Sequence, residues 1–220
     1  MVSIDMLAPV ALAITLAPVL TLCARRADQT FSQAPSANPH FSWAIFAALL
    51  LVACVGAICG DTVLDGLSLA ALGGLLCLAA IVDFRHLILP DLALVPILLL
   101  AVARAFADIG PDPIDCLVGL LIGAGGLFLI RSAYRQLRGV EGLGLGDVKL
   151  VGVAGSWIGW ERLPDLLLIA SLGTLICVVG ASLIGRRSST IDPWPFGPGL
   201  ALAFYAIACG LPPLAEAGGP

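Results

Sequence analysis

The sequence predicts an all-α fold, a polytopic membrane helical bundle of about eight transmembrane helices forming a single membrane-embedded domain over residues 1–220. Two observations predict it. The chain is 60% hydrophobic and 12% charged, with a mean hydropathy of +1.05, where a soluble domain carries roughly 25% charged residues. The apolar residues also gather in runs near the ~20 residues with which a helix crosses a bilayer. Too little polar surface remains to cover a water-exposed globule, so the lipid bilayer is the first partner the sequence implies.

The candidate spans are 4–23, 42–60, 64–83, 91–107, 114–131, 148–160, 164–184 and 196–214. Met1–Asp5 lacks the basic start of a cleavable signal and its apolar run continues to Cys23, so it reads as the first span. The sixth segment is too short to cross alone. It reaches the required length only if the glycine-rich stretch before it enters the membrane, which irregular backbone does only where protein or a water-filled cavity surrounds it. The polar connection 24–41 carries Pro, Ser, Asn and Gln, reads as a loop, and is too short for a domain.

Charge orders these spans. Arg25, Arg26, Arg85, Arg131, Arg135, Arg138, Lys149, Arg186 and Arg187 share one side when every span crosses. Arg162 alone falls opposite, and Arg104 sits near the outer end of its span. That outer side is acidic, with Asp61, Asp65, Asp108, Asp112, Asp115, Glu161 and Asp165. The positive-inside rule then predicts a multi-pass protein with both termini outside. The basic residues are too few and scattered for a nucleic-acid surface. The seven cysteines include no C-x-x-C pair and mostly lie in apolar runs, where a thiol behaves as a small hydrophobe. No metal site, cofactor or disulfide framework is expected.

Ionisable residues in or at the ends of spans are costly and mark functional candidates. Asp83 ends the apolar run GGLLCLAAIVD, and Asp147 ends GLGLGD before VKLVGVAG. Both fall at the cytoplasmic ends in this topology, so one site has room for both. Each has a plainer reading: Asp83 as an interfacial carboxylate paired with Arg85 or His86, Asp147 as a helix N-cap. Asp91, after Pro90, reads as a helix-start residue. Gly142, Gly144 and Gly146 alternate strictly, which is not the dinucleotide-binding spacing. Their use is close backbone approach, against which an extended substrate segment has room to pair as an added strand. Two carboxyls in one site cannot easily both ionise, an arrangement that hydrolyses a peptide with water as nucleophile and no metal.

Three ordered motifs resemble the prepilin peptidase (type IV leader peptidase) family of GxGD membrane aspartyl proteases. They are Asp83-Phe-Arg-His-Leu-Ile-Leu-Pro90-Asp91, Gly144-Leu-Gly146-Asp147-Val-Lys149-Leu150, and Pro195-Phe-Gly197-Pro198. The resemblance covers about residues 64–214, with spans 4–60 as two additional N-terminal helices. It implies a catalytic pair, Asp83 and Asp147. It implies cleavage of the short basic leader of type IV prepilins or pseudopilins at the cytoplasmic face of a bacterial inner membrane. Gly144, Gly146, Lys149, Pro90, Asp91, Pro195 and Gly197 come with it as substrate-binding or supporting residues. Lys149 reads equally as a positive-inside charge, and Pro195–Pro198 as a helix start.

One departure stands out. Many members insert, after the first span, a zinc-binding cytoplasmic domain with paired C-x-x-C motifs that accompanies N-methylation. The loop 24–41 has no such pair, so the resemblance is to the peptidase-only form. A small proton-coupled transporter also suits intramembrane aspartates and glycine-interrupted helices, but it leaves the Pro195–Pro198 motif unexplained and the hydropathy shows no inverted repeat. An inactive scaffold gives no reason for both motif aspartates.

Overall fold

The structure is a computed structural model that describes residues 51, 54–56, 58–86, 89, 91–140, 142–183 and 196–214. The expected span 4–23, the connection 24–41, most of the span 42–60, and Pro90 and Pro195 lie outside the described residues. In chain order the helices are α1 (Val63–His86), α2 (Asp91–Phe106), α3 (Pro113–Arg138), α4 (Leu145–Ile158), a 3₁₀ turn at Trp160–Arg162, α5 (Leu163–Leu183) and α6 (Gly197–Ala208). No strand occurs among the described residues, and the all-α expectation holds.

Among the described residues three helical stretches, Val63–Asp83, Pro113–Arg138 and Trp160–Val179, are long and apolar enough to cross a membrane, and Gly197–Ala208 is apolar but shorter. Two boundaries differ by more than three residues from those read in the sequence. α3 continues past residue 131 to Arg138, until Gly139 takes the left-handed conformation (φ 71°) and its N–H bonds back to the carbonyl of Arg135. α6 stops at Ala208 rather than 214, because Gly210 turns at φ 93° and two prolines follow that cannot continue a helix.

α4 is the centre of the bundle. It is only 14 residues long, yet Val148 and every residue from Leu150 to Trp157 are buried. A helix apolar all round belongs inside a protein, and α2, α3 and α6 all pack on this one. The glycine-rich stretch is in part helical: α4 starts at Leu145, so Gly146 and Asp147 lie in its first turn.

α3 meets α4 backbone to backbone. A Cβ on Gly119 would run into the carbonyl of Gly155, and one on Gly155 into that of Gly119. A Cβ on Gly123 would stand 2.7 Å from the Val151 carbonyl, and one on Gly152 2.7 Å from the Ala124 Cβ. Small residues at this spacing replace side-chain interdigitation with direct helix contact, which is how helices associate where lipid gives no hydrophobic drive. The other faces of α3 and α5 expose Leu121, Phe128, Leu129, Leu172, Ile176 and other large apolar side chains, as lipid-facing surfaces do.

The end of the bundle nearest Asp65 is closed by a polar knot. Arg104 of α2, 9% exposed, donates to Asp65 and Ser68 of α1 and, at 3.1 Å, to the Ile109 carbonyl. Its guanidinium lies 4.6 Å from the centre of the Trp157 ring, and Trp157 meets Phe204 edge-on at 6.3 Å. The arginine read from the sequence as lying near the outer end of its span is thus paired. Asp65 and Asp83 stand at opposite ends of α1, roughly 27 Å apart at 1.5 Å per residue.

The α3–α4 crossing predicts a sharp contrast. Gly119→Val or Gly155→Val should lower the detergent melting midpoint and cost more than about 2 kcal/mol, since backbone must move. Gly125→Ala, whose Cβ would meet nothing within 4 Å, should leave the melt unchanged. Equal effects at all three positions would disprove the crossing.

Candidate active site

Asp83 lies in the last turn of α1, 5% exposed. A carboxylate at that depth needs partners. One comes from α6: the backbone N–H of Gly197 donates to Asp83 Oδ2 at 3.1 Å. Gly197 opens that helix, so the bond uses a donor that helix starts leave free and aims the positive end of the helix dipole at the carboxylate. Only glycine fits there, because a Cβ on Gly197 would run into the Asp83 carboxylate.

Asp147 comes from α4. It is not the N-cap: Gly144 takes that position with extended backbone (φ −65°, ψ 139°) and no side-chain cap bond forms. Asp147 is third in the helix and its carboxylate folds back over Gly144, 3.2 Å from where a Cβ would stand. It precedes the apolar run of α4, outside the membrane-spanning stretches. Burial and, second, the charge of Asp83 opposite push its carboxyl up to about 6. The structure therefore brings the two aspartates into one electrostatic site.

The alternate glycines each admit a different neighbour. Gly142 receives the ring of Tyr134, whose Cε1 lies 2.6 Å from the missing Cβ. Gly144 receives the Asp147 carboxylate. Gly146 receives Leu89, at 2.9 Å from Cβ to the missing Cβ, and Leu89 Cδ1 also stands 3.1 Å from the missing Cβ of Gly197. Leu89 therefore joins the three motifs. The sequence reading quoted it without giving it a role; its place one residue ahead of Pro90 is the available signal. Of the glycines read as open ground for a substrate strand, Gly146 is instead helical and already covered by Leu89.

The remaining candidates separate from this cluster. Lys149 Nζ holds both Asp91 carboxylate oxygens, at 2.7 and 2.9 Å, and both side chains are more than half exposed. This pair links the starts of α2 and α4 at the edge of the site. Pro90 and Pro195 lie outside the described residues, as do the side chains of Arg85 and His86. Among the described residues no three His, Cys, Asp or Glu side chains converge as metal ligands would.

A helical membrane protein with two carboxyls close enough to act on each other electrostatically at one end of the bundle is the class these observations define. The sequence model of the type IV leader peptidase family matches residues 70–179, half of the chain. The chain belongs to that family. The matched stretch contains Asp83, Leu89, Asp91, Asp147 and Lys149. Among its relatives, the prepilin leader peptidase/N-methyltransferase of Dickeya chrysanthemi is 40% identical over 140 residues, covering 61% of this chain and 49% of the relative. That of Escherichia coli (strain K12) is 39% identical over 123 residues, 56% of this chain and 54% of the relative. That of Pseudomonas aeruginosa is 34% identical over 145 residues, 66% and 49%. The chain thus spans about half the length of the curated relatives it matches. No solved structure matches it significantly.

Asp147 carries a stability prediction. Its folded value near 6 exceeds the ordinary 3.8, so between those values the folded form binds the proton more tightly than the unfolded chain. Stability therefore falls as pH rises through that window, and the penalty is complete above it. Asp147→Asn removes the penalty. At pH 7.5 the variant should be more stable in detergent melts, by on the order of 2 kcal/mol, with the advantage vanishing at pH 4. A variant less stable than the parent at pH 7.5 would mean that the Asp147 charge is stabilised instead.

Proposed function

We propose that this chain is a membrane aspartyl endopeptidase that removes the short leader peptide of type IV prepilins or pseudopilins, with Asp83 and Asp147 as its catalytic pair. The carrying observation is the joint placement of these carboxyls, from α1 and α4, at one end of the bundle within the family match. Relatives named prepilin leader peptidase support the substrate class.

The chemistry needs one carboxyl protonated and one free. Asp147, pushed upward by burial and by its neighbour, is suited to carry the proton. Asp83 has Oδ2 engaged by Gly197 and Oδ1 left to accept a proton from water. Water oxygen then attacks the peptide carbonyl carbon while Asp147 gives its proton to the carbonyl oxygen. Asp83, now protonated, gives its proton to the amide nitrogen of the resulting gem-diol while Asp147 takes one back from a gem-diol hydroxyl; the C–N bond breaks, and the products leave as an acid and an amine with the dyad restored. The dyad lies on the side where the sequence gathers its basic residues. On the positive-inside rule this is the cytoplasmic face of a bacterial inner membrane, with the N-terminus outside.

Two predictions test the reading. In a membrane cleavage assay with a prepilin, Asp83→Asn and Asp147→Asn should each abolish processing while the protein still inserts. Asp91→Asn should keep substantial activity, since an exposed ion pair contributes at most about 1 kcal/mol. Normal processing by either dyad variant would sink the mechanism.

The second concerns methylation. The relatives' names include N-methyltransferase, and a zinc-bearing cytoplasmic insertion accompanies that activity in two-activity members. In this chain the stretch between Cys23 and Phe41 is too short to build a core. Cys23 and His40 are its only thiol and imidazole, short of the four ligands a structural zinc needs. Pilin matured by this enzyme alone should therefore carry an unmodified N-terminal amine. Mass spectrometry of the mature pilin decides it, and a product one methyl heavier, dependent on this gene alone, would overturn the claim.

A further inference from the structure

At the end of the bundle remote from the aspartates, the chain ahead of α1 packs into the fold through Gly56. A Cβ there would stand 2.6 Å from Tyr205 Oη and 2.8 Å from the Ala70 backbone nitrogen. At Gly60 the nearest atoms belong instead to Gly66 and Asp65. Between residues 56 and 60 this stretch therefore runs along α1 from Ala70 toward Asp65. α6 runs the same way, because it starts beside Asp83, at the opposite end of α1. With Gly56 level with Tyr205, Cys59 stands about 4.5 Å further along and Cys209 about 6 Å, at 1.5 Å per helical residue. The two thiols are at one height on adjoining segments. The Cys59 and Tyr205 side chains both act electrostatically on the Cys209 thiol, and both cysteines are free thiols in the structure. Cys59 is exposed, Cys209 partly so, and the exposed Asp61 marks where the chain leaves its apolar layer.

We infer that Cys59 and Cys209 form a disulfide. The inference rests on the proposed orientation, which puts this end outside the cytoplasm, where thiols are not held reduced. The oxidant is a disulfide of that compartment, on an oxidised dithiol oxidoreductase or a small molecule. The exposed Cys59 thiolate attacks one donor sulfur, breaking the donor S–S bond and forming a mixed disulfide. Cys209 then attacks Cys59 Sγ, forming the Cys59–Cys209 bond and releasing the donor. The two cysteines give up two electrons and two protons, and the donor leaves as two thiols. The bond ties the segment before α1 to the far end of the helix whose first residue holds Asp83.

The test uses the full-length protein in its native membranes, acid-quenched and alkylated with iodoacetamide without reductant, then peptide-mapped by mass spectrometry. A linked peptide joining Cys59 to Cys209 is expected. It should separate into two alkylated peptides after reduction and be absent from Cys209→Ala. Both cysteines found alkylated in the unreduced sample would overturn the inference. A membrane-impermeant maleimide, added to reduced spheroplasts of Cys209→Ala, reads orientation separately. Labelling of Cys59 supports the outer placement, and its absence overturns both the orientation and the inference. Prepilin cleavage in the same membranes is scored independently, so a failed disulfide leaves the peptidase reading standing, and the reverse.

Discussion

The direct backbone contact between α3 and α4 fixes where the other parts lie. With glycines at 119, 123, 152 and 155, the two axes approach until carbonyls touch α-carbons, and α4 is drawn into the middle of the bundle despite its length. A helix too short to cross a bilayer unaided is then covered by α2, α3 and α6. Its first turn, with Asp147, reaches the level of the last turn of α1, with Asp83. The dyad is a result of that depth: were α4 held further out, the two carboxyls would not share one field.

Among the described residues the charged groups gather toward the two ends of the bundle, and the ends are handled differently. Around Arg104 the charges are paired with close partners and capped by Trp157, with the buried guanidinium Nε alone lacking an acceptor among the described residues. Around Asp83 and Asp147 the like charges face each other, relieved by one backbone N–H and the dipole of α6. The first arrangement lowers energy through pairing. The second keeps a carboxyl near the point where it gives up its proton, as acid–base chemistry requires.

Much of this was legible in the residues. Hydropathy gave the helical membrane class, and the two aspartates and their motifs were identifiable because ionisable groups are rare in such a chain. The lengths of α3 and α6 were less so, since a span is read from apolar content while a helix ends where Gly139 or Gly210 turns the chain. The role of Asp147 in its turn was also hidden: an Asp following glycines looks like a cap, and only the start at Leu145 shows that Gly144 has that place. Leu89 could not be found from composition, because what it does depends on two glycines that arrive from distant parts of the sequence. The approach of Cys59 to Cys209 was invisible for the same reason.

The place of Leu89 has a consequence for how this sequence can change. One side chain fills the space left by two missing ones, at Gly146 and Gly197. A bulkier residue at Gly146 is admissible only if position 89 shrinks, one at Gly197 only if the Asp83 carboxylate moves as well, and a smaller residue at 89 opens a void beside both. The three positions are therefore bound into one volume constraint, so substitutions there combine non-additively. Three motifs far apart along the chain are coupled because they share a single packing volume.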